Sequence, residues 1–323
     1  MELEKKKWYN YLGFTKKEKE DAEEDIVGPL NLKNFFKLFK RRIGKLLSLN
    51  LYIVVETIPV FAILLAMIWG PYVYSPNSRL FSVLYGTMLA SDSPVNSILN
   101  GVFGVTQKFP VYTPAMIFAF LGLGILLLLI FGPINVGSTY ILRNMVRREP
   151  VFMWSDFWYA VKRNAKQGIL FGILDALLIG VLAFDLVYFY GTLGAGFMTD
   201  LMFFGTLLIA IIYFFMRFYI YIIMVTFDLS IKKILKNALI FSVLGIKRNI
   251  MAFLGIAAMI LINYFLLYLL MPINMMFPLI LPIFYLLGFG GFMAAYAAYP
   301  NIEKYMIEPY ETPEDESESE TED

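Results

Sequence analysis

Four ionisable residues stand inside long apolar stretches of this chain: Glu56, Asp175, Asp185 and Arg217. A charge at the centre of a bilayer costs about 2.5–3.5 kcal/mol on insertion scales, so each is a candidate for structure or for chemistry. Counted at about 1.5 Å per residue from the basic end of each stretch, Glu56 and Arg217 lie ~12–15 Å deep, Asp175 ~10 Å and Asp185 ~25 Å. Arg217 is thereby matched in depth to Glu56 and within side-chain reach of Asp175. Glu56, Asp175 and Arg217 form a candidate intramembrane polar cluster, read first as a structural clasp between the first, third and fourth spans. A cation or proton pathway is the sharper reading, but no further carboxylate continues a relay across the bilayer. An aspartyl protease would need two carboxylates about 3 Å apart sharing a proton. Asp175 and Asp185 are on one stretch and ~15 Å apart along a helix axis, so that chemistry is not expected.

Most other hydrolase and redox templates are closed by composition, and a carboxylate or oxygen-ligand site stays open. With no Cys there is no thiol nucleophile or thiolate metal site, and with no His the commonest proton shuttle and metal ligand are missing. No P-loop or dinucleotide fingerprint appears. No enzyme activity, catalytic residue, cofactor or metal is expected, and no nucleic-acid partner.

The elements that must position the charges are membrane spans. The 323 residues are 59% hydrophobic and 16% charged, against roughly 45–50% and about 25% in a soluble domain. Aromatic residues make up 17%, which suits a protein with two lipid–water interfaces. Apolar stretches run at about 48–69, 114–134, 168–190, 201–227, 250–270 and 277–299, each long enough to cross a ~30 Å core. Pro278 and Pro282 suit a helix start or kink in the last. The fold class is therefore all-α: a polytopic membrane protein of about six transmembrane helices.

Lys and Arg cluster before the first span, between the second and third, and between the fourth and fifth, whereas the other side has Arg79 and Lys108. The positive-inside rule then places the protein in the cell membrane as a multi-pass protein with both termini cytoplasmic. No cleavable signal is visible. The expected organisation is a polar tail at 1–28, a membrane domain at 29–307 with an outer loop at about 70–113, and an acidic disordered tail at 308–323. The segment 311–323 holds eight carboxylates and no base, which reads as a solubilising end.

A basic amphipathic segment precedes each odd-numbered span. The first sets Leu32, Phe35, Phe36, Phe39, Ile43, Leu46 and Leu47 opposite Lys33, Lys37, Lys40, Arg41 and Lys45, with Asn31 as N-cap. The second, capped by Ser155, sets Phe157, Trp158, Val161 and Ala165 opposite Lys162, Arg163 and Lys166. The third follows Asp228 or Ser230 and sets Ile231, Ile234, Leu235, Ala238 and Leu239 opposite Lys232, Lys233 and Lys236. Each leads to a similar tripeptide, Lys40-Arg41-Arg42, Lys162-Arg163-Asn164 or Lys247-Arg248-Asn249. The pattern suggests three hairpins, each preceded by a basic interfacial helix that contacts lipid or docks a cytoplasmic partner. Gly168 and Gly172 have GxxxG spacing, and Gly122, Gly124, Gly132, Gly137, Gly288, Gly290 and Gly291 read as packing sites.

One set of residues carries a family resemblance. It includes Gly132-Pro133-Ile134-Asn135-Val136-Gly137, Thr139-Tyr140-Ile141-Leu142-Arg143-Asn144, Arg147-Arg148-Glu149 and Phe152-Met153-Trp154-Ser155-Asp156-Phe157-Trp158. Downstream are Phe218-Tyr219-Ile220-Tyr221, Val225-Thr226-Phe227-Asp228-Leu229, Lys236-Asn237-Ala238-Leu239-Ile240-Phe241, Gly245-Ile246-Lys247-Arg248-Asn249 and Ala298-Tyr299-Pro300. With Phe35, Phe36 and Leu47 to Leu51, the chain resembles the YesL-like family of bacterial membrane proteins over most of 30–305. The resemblance implies a domain of unknown function, commonly encoded beside carbohydrate-uptake genes, with no established catalytic residues. Glu56 departs from it, because family members are usually apolar there.

Two functions follow as expectations. The first is an accessory or regulatory protein of carbohydrate uptake, contacting an ABC importer's permease or ATPase. The second is an independent small-solute transporter or channel. The lipid bilayer is the expected environment, and a homo-oligomer stays open. An importer permease itself is disfavoured, because the loops at 143–167 and 228–249 lack its Glu-Ala-Ala…Gly pattern.

Overall fold

The computed structural model describes residues 28–74, 108–270 and 277–310. The polar tail, most of the outer loop with Arg79, and the acidic end from Glu311 onward lie outside the described residues. Nine α-helices are described: α1 (Leu32–Val54), α2 (Ile58–Trp69), α3 (Pro114–Val146), α4 (Met153–Arg163), α5 (Ala165–Gly191), α6 (Phe197–Thr226), α7 (Ile231–Leu244), α8 (Ile246–Leu270) and α9 (Leu281–Ile302). Six helical segments are long and apolar enough to cross a membrane: Leu32–Met67, Pro114–Val146, Ala165–Gly191, Phe197–Thr226, Ile246–Leu270 and Leu281–Tyr310. Phe184, Val187 and Phe197 are 69, 75 and 80% exposed, a surface that water would penalise and lipid would not.

The chain divides into two compact units, Thr57–Leu127 and the remainder. In the smaller unit, α2 runs to Gly70, and the strands β1 (Tyr72–Tyr74) and β2 (Lys108–Pro110) pair antiparallel with Val73 opposite Phe109. The amide of Val111 adds a bond to the Pro71 carbonyl at 2.8 Å. Thr113 then starts α3, its hydroxyl accepting from the Met116 amide at 3.3 Å.

The larger unit is built around α6. Phe218 through Val225 are buried without interruption, which is the signature of a helix surrounded on all sides. α6 packs against α5, α7 and α9, while α9 also packs against α1 and α8. The first and last helices are therefore neighbours. The side-chain carbonyl of Asn50, itself buried, accepts from the Gly288 amide at 2.7 Å, and its amide donates to the Ile283 carbonyl. A Cβ on Gly288 would stand 2.7 Å from the Leu46 carbonyl oxygen, so the glycine permits this crossing. Gly132 plays the same part against Gly168 and Gly172, whose backbones leave no room for a Cβ. Gly122 and Gly124, by contrast, meet nothing within 4 Å.

The three basic segments differ from one another in structure. Asn31 caps α1, accepting from the Asn34 amide at 2.9 Å. α1 then continues through Lys40-Arg41-Arg42 to Val54, so no separate interfacial helix precedes the first span. The apolar periodicity runs unbroken into the span: its one glycine, Gly44, stays helical, and the first proline is Pro59, two residues into α2. α4 and α7 are separate helices, as expected. Lys162 and Arg163 end α4 and Asn164 forms the joint, whereas Lys247, Arg248 and Asn249 lie in the first turn of α8 after the joint at Gly245. The tripeptides thus occupy a helix middle, a helix end and a helix start, and they are not structurally equivalent.

The cap of α4 is Phe152 and not Ser155: the Asp156 carboxylate reaches back to the Phe152 amide at 2.8 Å. Phe157 and Ala160 face the core, while Trp154 and Trp158 remain exposed. Trp158 is therefore on the outer face rather than with Phe157. A Cβ on Gly137 would stand 2.5 Å from the Phe157 ring, so α3 receives that ring at a glycine. Ser230 occupies the N-cap position of α7 without a side-chain capping bond, and Ile234, Ala238 and Phe241 of that helix are buried. Pro278 lies in a short 3-10 turn, and Pro282 opens α9.

Candidate intramembrane polar site

Tyr213, Arg217 and Tyr221 are spaced by four on α6 and so share one face of it. That face meets Asp175 on α5, which is fully buried. Both Asp175 oxygens are occupied. The Tyr213 hydroxyl donates at 2.7 Å, the Tyr221 hydroxyl at 2.6 Å, and the Arg217 Nε approaches at 3.1–3.2 Å. Three donors, one of them cationic, are what an ionised carboxylate needs away from water. The Arg217 guanidinium also lies 5.7 Å from the centre of the Phe131 ring.

Glu56 arrives from a different kind of element. It sits in the 3-10 turn Val55–Thr57 that separates α1 from α2. Pro59 accounts for the interruption, since its ring conflicts with the carbonyl four residues earlier. The Glu56 carboxylate accepts from the Asn135 side-chain amide at 3.0 Å. The second hydrogen of that amide goes to the Phe131 carbonyl at 2.8 Å. Asn135 lies two residues beyond Pro133, which interrupts the hydrogen bonding of α3.

Glu56 and Arg217 line one cavity of about 300 Å³. Its polar wall adds Asn135, Ser138, Thr139 and Tyr221, and its apolar wall includes Phe214, Phe218, Ile256, Leu286 and Leu287. Gly290 and Gly291 of α9 also line it. Asp175 stands behind Arg217. Thus the structure brings Arg217 to Asp175 directly, and Glu56 to the same cavity through Asn135. Among the described residues, no group of three or more His, Cys, Asp or Glu could hold a metal ion.

The basic residues lie elsewhere. Lys40, Lys162, Arg163, Lys166, Lys232, Lys233, Lys236 and Lys247 are exposed, while Arg41, Arg42 and Arg248 are half-buried. Arg248 donates to the Leu30 carbonyl at 3.1 Å and so ties α8 to the segment before α1. Two further polar networks were not singled out by sequence reasoning. Arg143 is buried and donates to Asn144, to the Val225 carbonyl at 3.1 Å and to the Thr226 hydroxyl at 3.2 Å. Tyr219 donates to Asn249 at 2.8 Å and accepts from Asn301 at 3.0 Å, closing over Gly245, where a Cβ would strike both Tyr219 and Asn301. The Tyr213–Arg217–Tyr221 spacing was available as a signal. Asn135 lies one position past the apolar stretch at 114–134 and had no signal beyond its place in the family-like segment 132–137.

Comparison with known proteins adds one match. Residues 110–186 match the family described as "Protein of unknown function, DUF624". That range holds α3, α4 and α5 through Leu186, and with them Asn135, Arg143, Asp175 and the Gly132–Gly168–Gly172 crossing. No curated protein and no solved structure matched the chain. The six apolar helices and this family match make the chain similar to integral membrane proteins of unknown activity.

Proposed function

We propose that the protein is an accessory or regulatory membrane protein of carbohydrate uptake, in the cell membrane with both termini cytoplasmic. Its partner on this reading is the permease or ATPase of an ABC importer, met by the basic faces of α4 and α7. The observation that carries the reading is the two-sidedness of these helices. Phe157, Ala160, Ile234 and Ala238 are buried against the core, while Lys162, Arg163, Lys232, Lys233 and Lys236 are exposed. A helix held by one face against a bundle presents its charges as a fixed surface. The carbohydrate setting comes from the YesL-like resemblance, which we take to be the matched family, and is an argument by association. We expect no catalysis.

Benzophenone probes placed at positions 162 and 236 test this in native membranes. Capture of an importer permease or ATPase above a control of matched abundance is the expected result. Capture of lipid or of the protein itself alone would sink the docking role and leave α4 and α7 as anchors. The cavity favours a second reading, an independent small-solute transporter. Solute uptake into liposomes by the purified protein alone would establish that reading over the first.

A further inference from the structure

The cavity beside Glu56 holds a carboxyl group that shares its walls with Arg217 but forms no ion pair with it. Two carboxylates and one guanidinium, Glu56, Asp175 and Arg217, leave one negative charge. Arg217 is committed through Nε to Asp175 at 3.1–3.2 Å, and Asp175 is also held by two tyrosine hydroxyls. When ionised, Glu56 carries the remaining charge, and its hydrogen-bond donor is the neutral Asn135 amide. In apolar surroundings an ionised carboxylate requires a cation or a proton.

The rest of the lining says which. Both Asn135 amide hydrogens are spent, on Glu56 and on the Phe131 carbonyl, so its side-chain oxygen remains as an acceptor. Thr139 adds a hydroxyl to the same wall. The rings of Phe214 and Phe218 line the cavity too, and aromatic faces attract cations. Ile256, Leu286 and Leu287 offer nothing to an ion but suit an alkyl group. The volume of about 300 Å³ exceeds what a proton needs and matches the small end of organic ligand pockets, roughly 300–1,000 Å³.

We propose that this cavity binds a small organic ammonium ion. Its N–H groups meet Glu56, the Asn135 oxygen and the Thr139 hydroxyl, and its alkyl part lies against Ile256, Leu286 and Leu287. The site is separate from α4 and α7, so its failure and the failure of partner docking are read in different experiments.

The test uses the full chain in detergent, with n-butylammonium, n-butanol and n-butyrate compared at constant pH and ionic strength by melting curve and calorimetry. Butylammonium is expected to raise the melting temperature saturably, and the alcohol and the carboxylate are not. Glu56→Gln is expected to weaken butylammonium binding by at least about tenfold, the loss of one charge-assisted contact, without lowering the melting temperature of the unliganded protein. Phe214→Leu should weaken it about three-fold through the lost ring. If Glu56→Gln does not purify, Thr139→Val carries the same comparison with every charge in place and is expected to weaken binding. An equal response to butanol would show apolar filling alone, and a response to butyrate would show that Arg217 reads an anion. Equal stabilisation by sodium or potassium would make it an inorganic ion site, and no response at all would leave Glu56 to a proton. Any of these four results, or unchanged binding in the variants, overturns the proposal.

Discussion

Asp175 concentrates more of the polar interaction within the bundle than any exposed charge does, because every one of its partners depends on it. Tyr213, Tyr221 and Arg217 all direct donors at its two oxygens. Replacing Asp175 by leucine strands a cation and two hydroxyls in an apolar region. The expected loss is about 3–5 kcal/mol, read as a marked fall in detergent melting temperature. Arg217→Leu should also lower it. The Asp175→Leu/Arg217→Leu double variant should recover part of the loss, since it removes both charges. If the double variant falls by the sum of the single losses, the two residues do not act as a pair. At this scale the sequence was informative about charge and depth. Arg217 could be matched in depth to Glu56 and placed within reach of Asp175 by counting residues, because a helix converts sequence number to height. Asn135 could not, since an amide inside a span is common and its partner Glu56 is seventy-nine positions away.

Helix identity was legible for the same reason, and helix contact was not. Runs of some twenty apolar residues specify spans regardless of neighbours, but which glycines face another backbone depends on the crossing. Gly168 and Gly172 advertise themselves by spacing, yet nothing in the sequence distinguishes their partner Gly132 from Gly122, Gly124 or Gly137. The structure separates working glycines from idle ones. Gly172→Val is expected to drive α3 and α5 apart, with a loss of about 2–4 kcal/mol or failure to accumulate. Gly124→Ala, which meets nothing within 4 Å, should match or slightly exceed wild-type stability. Melting curves of the two variants side by side check the assignment, and equal losses would refute it. The basic segments show the converse limit. Amphipathic periodicity identified α4 and α7, but the same periodicity in α1 continues straight into a span, because Leu32–Val54 contains no proline and its single glycine, Gly44, does not interrupt the helix.

For the molecule as a whole, the absence of cysteine makes the orientation directly measurable. A single cysteine placed at Lys236 should react with a membrane-impermeant maleimide in inside-out vesicles and be protected in intact cells. One placed at Thr113 should show the opposite pattern. The reverse result for both would invert the assignment of the termini. The distribution of Lys and Arg made this expectation available from sequence. The neighbourhood of the first and last helices was not available, because hydropathy orders spans along the chain and carries no information on which of them touch.

That neighbourhood has a consequence in time. Asn50 finds its partners in Ile283 and Gly288, separated from it by 233 and 238 positions. A ribosome delivers α1 first and α9 last, so Asn50 enters the bilayer long before the carbonyl and amide that satisfy it exist. Through most of synthesis it must be lodged with the insertion machinery, with water or with a temporary helix. The bundle therefore cannot mature from its N-terminal end forward; its first helix takes its final place when the last one arrives.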